Sequence, residues 1–202
     1  ANTRRGAGTL STAPPGDEQA DTYRYDPADP APTRGGSTLI ISQGVADQGP
    51  VEDREDVLVY SSAPLERGLE VTGPIKVHLF AASSAVDTDF TAKLVDVRPD
   101  GYAQNLQDGI IRARYRTSGA QPSLIEPGRV YPFAIDLWAT SHLFRTGHQV
   151  RVEISSSNFP RFDRNPNTGA PLGQDDRMEA AQQTVYHSAA HPSHIVLPII
   201  PR

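Results

Sequence analysis

Alternation of aliphatic and polar residues with a period of two runs through most of the chain from Leu39 onward. In QVRVEIS, residues 149–155, every second residue is aliphatic. Ile75, Val77 and Leu79 are separated by polar residues in the same way. This period is typical of β-strands that bury one face and expose the other. The feature therefore predicts half-buried strands, and it is incompatible with a helical bundle.

Further strand candidates follow the same chain. They are residues 56–60, 90–97, 110–116, 131–138, 184–187 and 195–200. Gly-, Pro- and Asp-rich turn sequences separate them, in a chain with 16 Gly and 18 Pro. About eight strands without a convincing amphipathic helix predict an all-β fold, a jelly-roll β-sandwich of two packed antiparallel sheets. The one helical alternative is a short segment at residues 175–183.

The first part of the chain has a different composition. Residues 1–38 contain several Pro and Gly and few aliphatic residues. Proline removes a backbone donor and favours extended geometry, so we expect an irregular N-terminal arm, followed by the sandwich at residues 39–202. Tyr23 and Tyr25 are the expected anchors of the arm on the sandwich. The alternative is a disordered tail.

Composition excludes several classes of partner. The net charge of −5 offers no basic surface to a phosphate backbone, so nucleic acid is not expected. No apolar run approaches the roughly 18 residues of a membrane helix, so no membrane contact is expected. The absence of cysteine excludes a disulfide framework and a thiolate nucleophile. Localisation stays open.

Ser, His and Asp are all present, so hydrolytic chemistry has to be considered. A nucleophile elbow requires Gly-x-Ser-x-Gly between a strand and a helix, and the sequence contains no such pentapeptide. The serines at 155–157 follow a strand, and we interpret them as hydrogen-bonding groups at its edge. We therefore predict no catalytic residue.

Histidines and aspartates offer two candidate metal sites. His187, His191 and His194 are closely spaced, but Pro192 prevents a helix between them, and solvated imidazoles on a hairpin loop are the favoured interpretation. Asp87 and Asp89 are spaced as paired carboxylates in a Ca²⁺ site would be. We favour their capping the turn before residue 90. No metal or other cofactor is predicted.

Charged and aromatic residues form two further patterns. Arg112, Arg114 and Arg116 would share one strand face, where they could dock an acidic surface or pair internally with carboxylates, and internal pairing is favoured. Residues 155–167, SSSNFPRFDRNPN, fit a sugar-binding platform or an ordered loop with its own ion pairs. Trp138 ends an alternating strand, and we expect it to be buried in the core.

Seven segments in fixed order carry a family resemblance that covers nearly the whole chain. They are DVLVYSSAPL, VTGPIKVHLF, SSAVDTDFTAKLVDVRPDG, DGIIRARYR, PGRVYPFAIDLWATSHLF, GHQVRVEISSSNFPRFDRNPNTG and QTVYHSAAHPSHIVLPIIP. Together they resemble the C-terminal, galactose-binding-domain-like jelly roll of the X-Pro dipeptidyl-peptidase, cocaine esterase and α-amino-acid ester hydrolase (acylase) family.

The resemblance implies a function without chemistry of its own. In that family the serine triad and oxyanion hole belong to an α/β-hydrolase catalytic domain, and no part of either can be assigned here. The expected function is that of a non-catalytic accessory domain, which packs on the catalytic domain, supports its active-site wall and contributes to a homo-oligomer. The alternatives are an independent carbohydrate-binding module and, with least support, a self-sufficient enzyme.

One loop is the candidate contact with the catalytic domain. Residues 43–54, QGVADQGPVEDR, lack periodicity and precede the first strong strand. The resemblance places this region toward the catalytic domain, with apolar surface near Val51. The predicted contact residues are Gln48, Pro50, Val51, Glu52 and Arg54, and the alternative is a loop that only meets solvent.

Overall fold

The computed structural model describes residues 8–39 and 43–201; residues 1–7, 40–42 and 202, from the predicted arm and sandwich, lie outside the described residues. Within the described part, eleven strands, one α-helix and one 3₁₀ helix succeed one another. In chain order these are β1 (Gly8–Thr9), β2 (Asp21–Tyr25), α1 (Gly49–Glu52), β3 (Leu58–Ser61), β4 (Leu69–Ser83), β5 (Asp89–Val97), β6 (Ala103–Arg112), the 3₁₀ helix (Ala113–Tyr115), β7 (Tyr131–Phe144), β8 (Gln149–Ser155), β9 (Ala181–Ser188), β10 (His191–Pro192) and β11 (His194–Val196).

The strands form two sheets. One sheet has five strands in the order β1-β3-β8-β5-β6, and all its pairs are antiparallel except β1 with β3. In the six-stranded sheet, β4 pairs with β7 along one edge and with β9 and β11 along the other. Strand β9 also pairs with β2 and β10. The predicted all-β sandwich of two mainly antiparallel sheets is confirmed.

The core lies between the two sheets. Aromatic and aliphatic side chains from β4, β5, β7 and β8 meet there, and the rings of Phe90 and Phe133 lie 4.8 Å apart. Such buried apolar side chains each contribute about 1.5–3 kcal/mol relative to exposure. The core side chains are the aliphatic members of the alternating segments, so the inner face of the sandwich was predicted correctly.

The strand limits depart from prediction at several places: β6 begins earlier, at Ala103, β7 extends to Phe144, and β11 ends at Val196. The segment predicted at residues 110–116 ends as a strand at Arg112 and continues into the 3₁₀ helix. The helical alternative at residues 175–183 was wrong, because the chain there is irregular until β9 begins at Ala181 and pairs with β2. No helix among the described residues has the length and apolar character needed to cross a bilayer.

The central strands of the five-stranded sheet, β5 and β8, are buried on both faces. All nine residues of β5 are buried, and on β8 the charged Arg151 and Glu153 are buried as well. The half-buried strand predicted for residues 149–155 was therefore wrong on its polar face. That face lies under the chain's own α1 segment, where Arg151 Nη1 donates to Glu52 Oε2 at 2.6 Å.

The N-terminal arm is held by the serines at the end of β8. The Tyr23 hydroxyl lies 2.9 Å from Ser156 Oγ, and the Ala31 N–H donates to Ser157 Oγ at 2.8 Å. Tyr23 and Tyr25 are buried, as predicted for anchors, and they lie on a regular strand within the arm. The serines thus bind the arm, while the boundary between residues 38 and 39 stays a prediction.

Trp138 is exposed, and the prediction that it is a core residue was wrong. Its side chain is 71% exposed, whereas Ile135 and Leu137 on the same strand are buried. The pairing of β4 with β7 shifts register between Pro74 and Lys76, and Trp138 has φ +62° opposite this irregularity. Because Ile135 and Leu137 face the core, the alternation of the strand places the Trp138 side chain on the opposite, outer face of β7.

We predict that the fluorescence emission of the folded protein is that of a solvated indole, since Trp138 is the single tryptophan. Trp138→Ala should change the free energy of unfolding by no more than about 0.5 kcal/mol, as for other exposed side chains. Phe133→Ala is the matched control for a buried ring and should cost about 3–5 kcal/mol in denaturant unfolding. A blue-shifted emission maximum, or equal costs for the two variants, would contradict this assignment.

Candidate functional site

The predicted partner-contact loop folds back onto its own domain. The side chains of Gln48, Val51 and Glu52 are buried, whereas Pro50 is exposed and Arg54 is partly exposed. A four-residue helix, α1, begins with Pro50 in its first turn and turns these side chains inward. The segment had been predicted as a loop, because so short a helix has no detectable period.

Val51 offers no apolar surface to a partner. It packs in a small buried cluster with Ala31, Val57 and Val59, which lies between the arm and the outer face of β3. The prediction of exposed apolar surface near Val51 was therefore wrong. The physical reason is that the arm supplies the apolar neighbours that a partner domain was expected to supply.

The buried polar members of the loop have partners within the chain. Gln48 Nε2 donates to the carbonyl of Arg34 at 2.9 Å, and Lys93 Nζ donates to Gln48 Oε1 at 3.0 Å. Burial raises the pKa of Glu52 to about 7, Glu153 adds to the rise and Arg151 opposes it. Through these contacts with β5 and β8, Gln48 and Glu52 hold α1 against the five-stranded sheet.

Arg54 links the loop to the arm. Its Nε donates to Asp56 Oδ1 at 2.7 Å, and its Nη2 donates to the Asp29 carbonyl at 2.7 Å. The hydrogen bond to Asp56 is the main reason that the pKa of Arg54 is raised, and the bond to Asp29 adds to it. Of the five predicted contact residues, Pro50 alone presents an exposed side chain without such ties among the described residues.

Exposed aliphatic side chains occur next to this loop, in the 36–45 segment. Leu39 is 91% exposed and Val45 is 59% exposed. The backbones of Gly36 and Gly44 exchange two hydrogen bonds, of 2.7 and 3.0 Å, which close the base of the segment. Both glycines have positive φ, of 86° and 77°, a conformation that suits glycine. The glycine pairs around an aliphatic run were the sequence signal for this feature, and the sequence analysis did not use it.

Asp87 and Asp89 are held by arginines. Arg114 Nε donates to Asp87 Oδ2 at 2.8 Å, and Arg112 contacts Asp89 in a bidentate pair at 2.8 and 2.9 Å. Asn165 Nδ2 donates to both aspartates at 2.9 Å. Burial raises the pKa of Asp89, and the Arg112 and Asn165 hydrogen bonds oppose that rise. Internal pairing of Arg112 and Arg114 is therefore confirmed.

This network replaces both the cation site and the simple cap considered for the two aspartates. All four carboxylate oxygens of Asp87 and Asp89, which a Ca²⁺ ion would need as ligands, accept hydrogen bonds from arginine and asparagine side chains or from the Arg114 N–H. In the part of the chain that the structure describes, no three His, Asp or Glu side chains are arranged to hold a metal ion. Arg116 lies beyond the strand and stacks over the ring of Tyr131, 4.4 Å from its centroid.

The three clustered histidines lie in different surroundings. His187 lies between Glu18 and Asp21, with each carboxylate oxygen 3.1 Å from a ring nitrogen. The His191 ring packs against Phe80, and His194 stacks on His78 with ring centroids 4.9 Å apart. Their rings therefore serve separate contacts within the fold.

Asp96 joins two histidines that the sequence analysis did not single out. Its Oδ2 lies 2.9 Å from His142 Nε2, and its Oδ1 lies 2.8 Å from His148 Nδ1. Burial by itself raises the pKa of Asp96, but the hydrogen bonds from the two rings outweigh it and hold the pKa below its usual range. The group ties β5 to β7 and to the turn before β8.

The loop at residues 155–167 is ordered by its own polar contacts. Asn158 Nδ2 donates to Asp108 Oδ2 at 2.9 Å, and Arg161 Nε lies 3.0 Å from the same oxygen. Asp163 lies 3.3 Å from Arg112 Nη2. Of the two interpretations of this loop, internal ion pairing has the direct structural support.

Comparison with known proteins supports one family. Residues 1–196 match the family model described as the X-Pro dipeptidyl-peptidase C-terminal non-catalytic domain. The chain belongs to that family.

Relatives of the family place this domain inside larger hydrolases. The chain is 54% identical over 206 residues to the cocaine esterase of Rhodococcus sp. (strain MB1 Bresler), covering 100% of this chain and 36% of the esterase. A solved aminopeptidase from a Thaumarchaeota archaeon has a TM-score of 0.88 at 35% identity, and a solved α-amino acid ester hydrolase has 0.87 at 34%. Each match covers 96% of this chain and 35% of the solved chain. The chain thus spans about a third of the length of these relatives.

The buried ion pairs of this domain yield a stability prediction. Arg114→Met leaves Asp87 buried without its cation, and we expect a loss of about 3–5 kcal/mol in the free energy of unfolding. The double variant Asp87→Asn with Arg114→Met should recover part of that loss. As a matched control, Arg129→Met removes the exposed pair with Glu126, and urea unfolding should show little change. Equal effects of the two arginine variants would refute the assignment.

Proposed function

We propose that this chain is the non-catalytic accessory domain of a serine hydrolase and packs on an α/β-hydrolase catalytic domain. The observation that carries the proposal is the family match over residues 1–196, because that family is defined as a C-terminal non-catalytic domain. The relatives are an esterase, an ester hydrolase and an aminopeptidase, so the parent reaction proposed here is transfer of an acyl group to water. A jelly-roll, galactose-binding-like strand arrangement is part of the same proposal.

The serines of the chain support a non-catalytic role. The sequence has no Gly-x-Ser-x-Gly elbow, and Ser155, Ser156 and Ser157 are buried. The hydroxyls of these serines make hydrogen bonds to Asp56, to Tyr23 and to the Ala31 N–H. A nucleophile must instead be exposed beside a base and oxyanion donors.

The 36–45 segment, together with Pro50, is the surface proposed to meet the catalytic domain. Leu39 and Val45 expose aliphatic side chains there, and their burial against a partner would stabilise the contact by about 1.5–3 kcal/mol each at most. Gln48, Val51 and Glu52 support this surface from inside, and Arg54 ties it to the arm. Support of the active-site wall and self-association are further roles that the family resemblance suggests.

A second candidate function rests on Trp138. An exposed indole is a common platform for sugar rings, and this one is 71% exposed on an uncovered sheet face. Binding of a sugar would quench or shift the fluorescence of the single tryptophan. A titration with mono- and oligosaccharides that leaves the emission unchanged removes this candidate.

A chimera with a relative tests the accessory function. In Rhodococcus cocaine esterase, the region that matches this chain is replaced by this chain, and ester hydrolysis is compared with that of the esterase lacking the region. We expect the chimera to retain esterase activity and the shortened enzyme to lose it, while this chain alone has none. Activity of this chain alone that a single Ser→Ala change abolishes would overturn the proposal.

The same chimera tests the proposed contact surface. Leu39→Asp with Val45→Asp should lower the thermal stability of the chimera and its activity, because both side chains would bury a charge at the contact. Val196→Asp, an exposed aliphatic on the six-stranded sheet, is the matched control and should have little effect. If the Leu39→Asp/Val45→Asp chimera and the Val196→Asp chimera behave alike, the contact surface lies elsewhere. The accessory function is tested separately, by the esterase activity of the unmodified chimera.

A further inference from the structure

Two buried carboxylates face each other where α1 meets the five-stranded sheet. The side chain of Glu52 on α1 is 1% exposed, and that of Glu153 on β8 is 2% exposed. Oε1 of Glu52 and both carboxylate oxygens of Glu153 have no hydrogen-bond donor in the structure. A buried acceptor without a donor costs about 1–3 kcal/mol, and more when it is charged.

The cations near this pair do not supply the missing donors. Arg151 on β8 donates to Glu52 Oε2 at 2.6 Å, but its Nε donates to Ser61 Oγ on β3. Lys93 on β5 donates to Gln48 Oε1 and lies 3.4 Å from Glu153 Oε2 as an ion pair. Two cations thus neutralise the two carboxylates in total charge, while three oxygens still lack a hydrogen bond.

A single proton resolves this arrangement. A protonated carboxyl group carries one O–H donor, so with one proton an oxygen of one carboxyl donates to an oxygen of the other, and two of the three oxygens gain a partner. It also removes the repulsion between two like charges in a poorly solvated site. The two groups come from distant parts of the chain, so such a bond would join α1 directly to β8.

We propose that Glu52 and Glu153 share one proton in the folded chain, and that this proton fixes α1 to the sheet. Burial and the neighbouring Glu153 raise the pKa of Glu52 to about 7, which agrees with a proton retained in mildly acidic solution. Removal of the proton leaves two charged carboxylates with three oxygens that lack donors, and it loosens α1, which carries the exposed Pro50. The position of this surface segment therefore depends on pH near neutrality.

The sign of the pH dependence follows from the raised pKa. Glu52 holds its proton more tightly in the folded state than in the unfolded state, where its pKa has the ordinary value of 4.5. Its contribution to stability is therefore full below about pH 4.5 and is lost as pH rises through about 7. Above that range the contribution does not change further.

Unfolding in urea at a series of pH values tests the shared proton. One proton retained only by the folded state makes the unfolding constant rise by up to about tenfold per pH unit between its two pKa values. Glu52→Gln should remove that part of the rise, and Glu153→Gln should do the same. Glu66→Gln, which changes an exposed carboxyl, is the matched control and should leave the rise unchanged.

Carboxyl ¹³C NMR of the unmodified chain provides the second measurement and does not depend on a variant that folds. We expect the Glu52 signal to show a titration step near neutrality. The backbone N–H groups of Val51 and Glu52 both donate to the Gln48 carbonyl. Above pH 7 the exchange rates of these two amides should increase more in the unmodified chain than in the Glu52→Gln variant. Titration of Glu52 in the ordinary acidic range would overturn the proposal and would indicate buried water as the missing donor.

Discussion

The central strands of the five-stranded sheet have no solvent face, and the rest of the structure follows from that constraint. Strand β5 is buried at every position, and its Lys93 and the Arg151 and Glu153 of β8 point away from the apolar core. Charged groups are buried only when paired and hydrogen-bonded, because their transfer out of water is costly. The chain supplies those partners from the α1 segment, which must therefore stay in place over the sheet.

A second buried network holds the opposite end of the same strand. Asp87 and Asp89 precede and begin β5, and Asn165 links their two ion pairs into one set of hydrogen bonds. The network joins three segments that are far apart in sequence: the start of β5, the end of β6 and the loop after β8. Arginine and asparagine side chains thus neutralise and hydrogen-bond the two carboxylates, as a metal ion would otherwise have to do. This end of the sheet is held by internal ion pairs and hydrogen bonds, which suits a structural role in a non-catalytic member of a hydrolase family.

The two sheets differ in what covers their outer faces. The arm and α1 cover the five-stranded sheet, whereas the outer face of the six-stranded sheet remains open and carries Trp138. The exposed aliphatic side chains of Leu39 and Val45 lie beside the covered face. The proposed contact with a catalytic domain would therefore extend the layer that the arm and α1 form over the five-stranded sheet. The α1 helix, with its proposed pH sensitivity, would be part of that layer.

Period-two alternation was sufficient to predict the strands, the inner face of the sandwich and the absence of long helices. It could not predict what covers the polar face, since the sequence pattern is the same whether Arg151 lies beneath α1 or in water. The alternation itself places Trp138 opposite the buried Ile135 and Leu137, so the expectation of burial was wrong because the outer face of β7 leaves this side chain exposed. Contacts such as Tyr23 with Ser156 join residues 133 positions apart. Local sequence does not determine such pairing, so it could not show that three of the five candidate contact residues, Gln48, Val51 and Glu52, are buried within the chain.

Hydrogen exchange of the isolated chain tests most directly whether the domain covers its own sheet. The amides to compare are those of β2 and of Thr33, which donates to the Phe159 carbonyl at 2.7 Å, with those of β5. If the arm and the sheet form one cooperative unit, the arm amides exchange nearly as slowly as the β5 amides, through the same global opening. Rapid exchange throughout the arm while β5 remains protected would show that the sheet does not depend on this cover and would contradict the account.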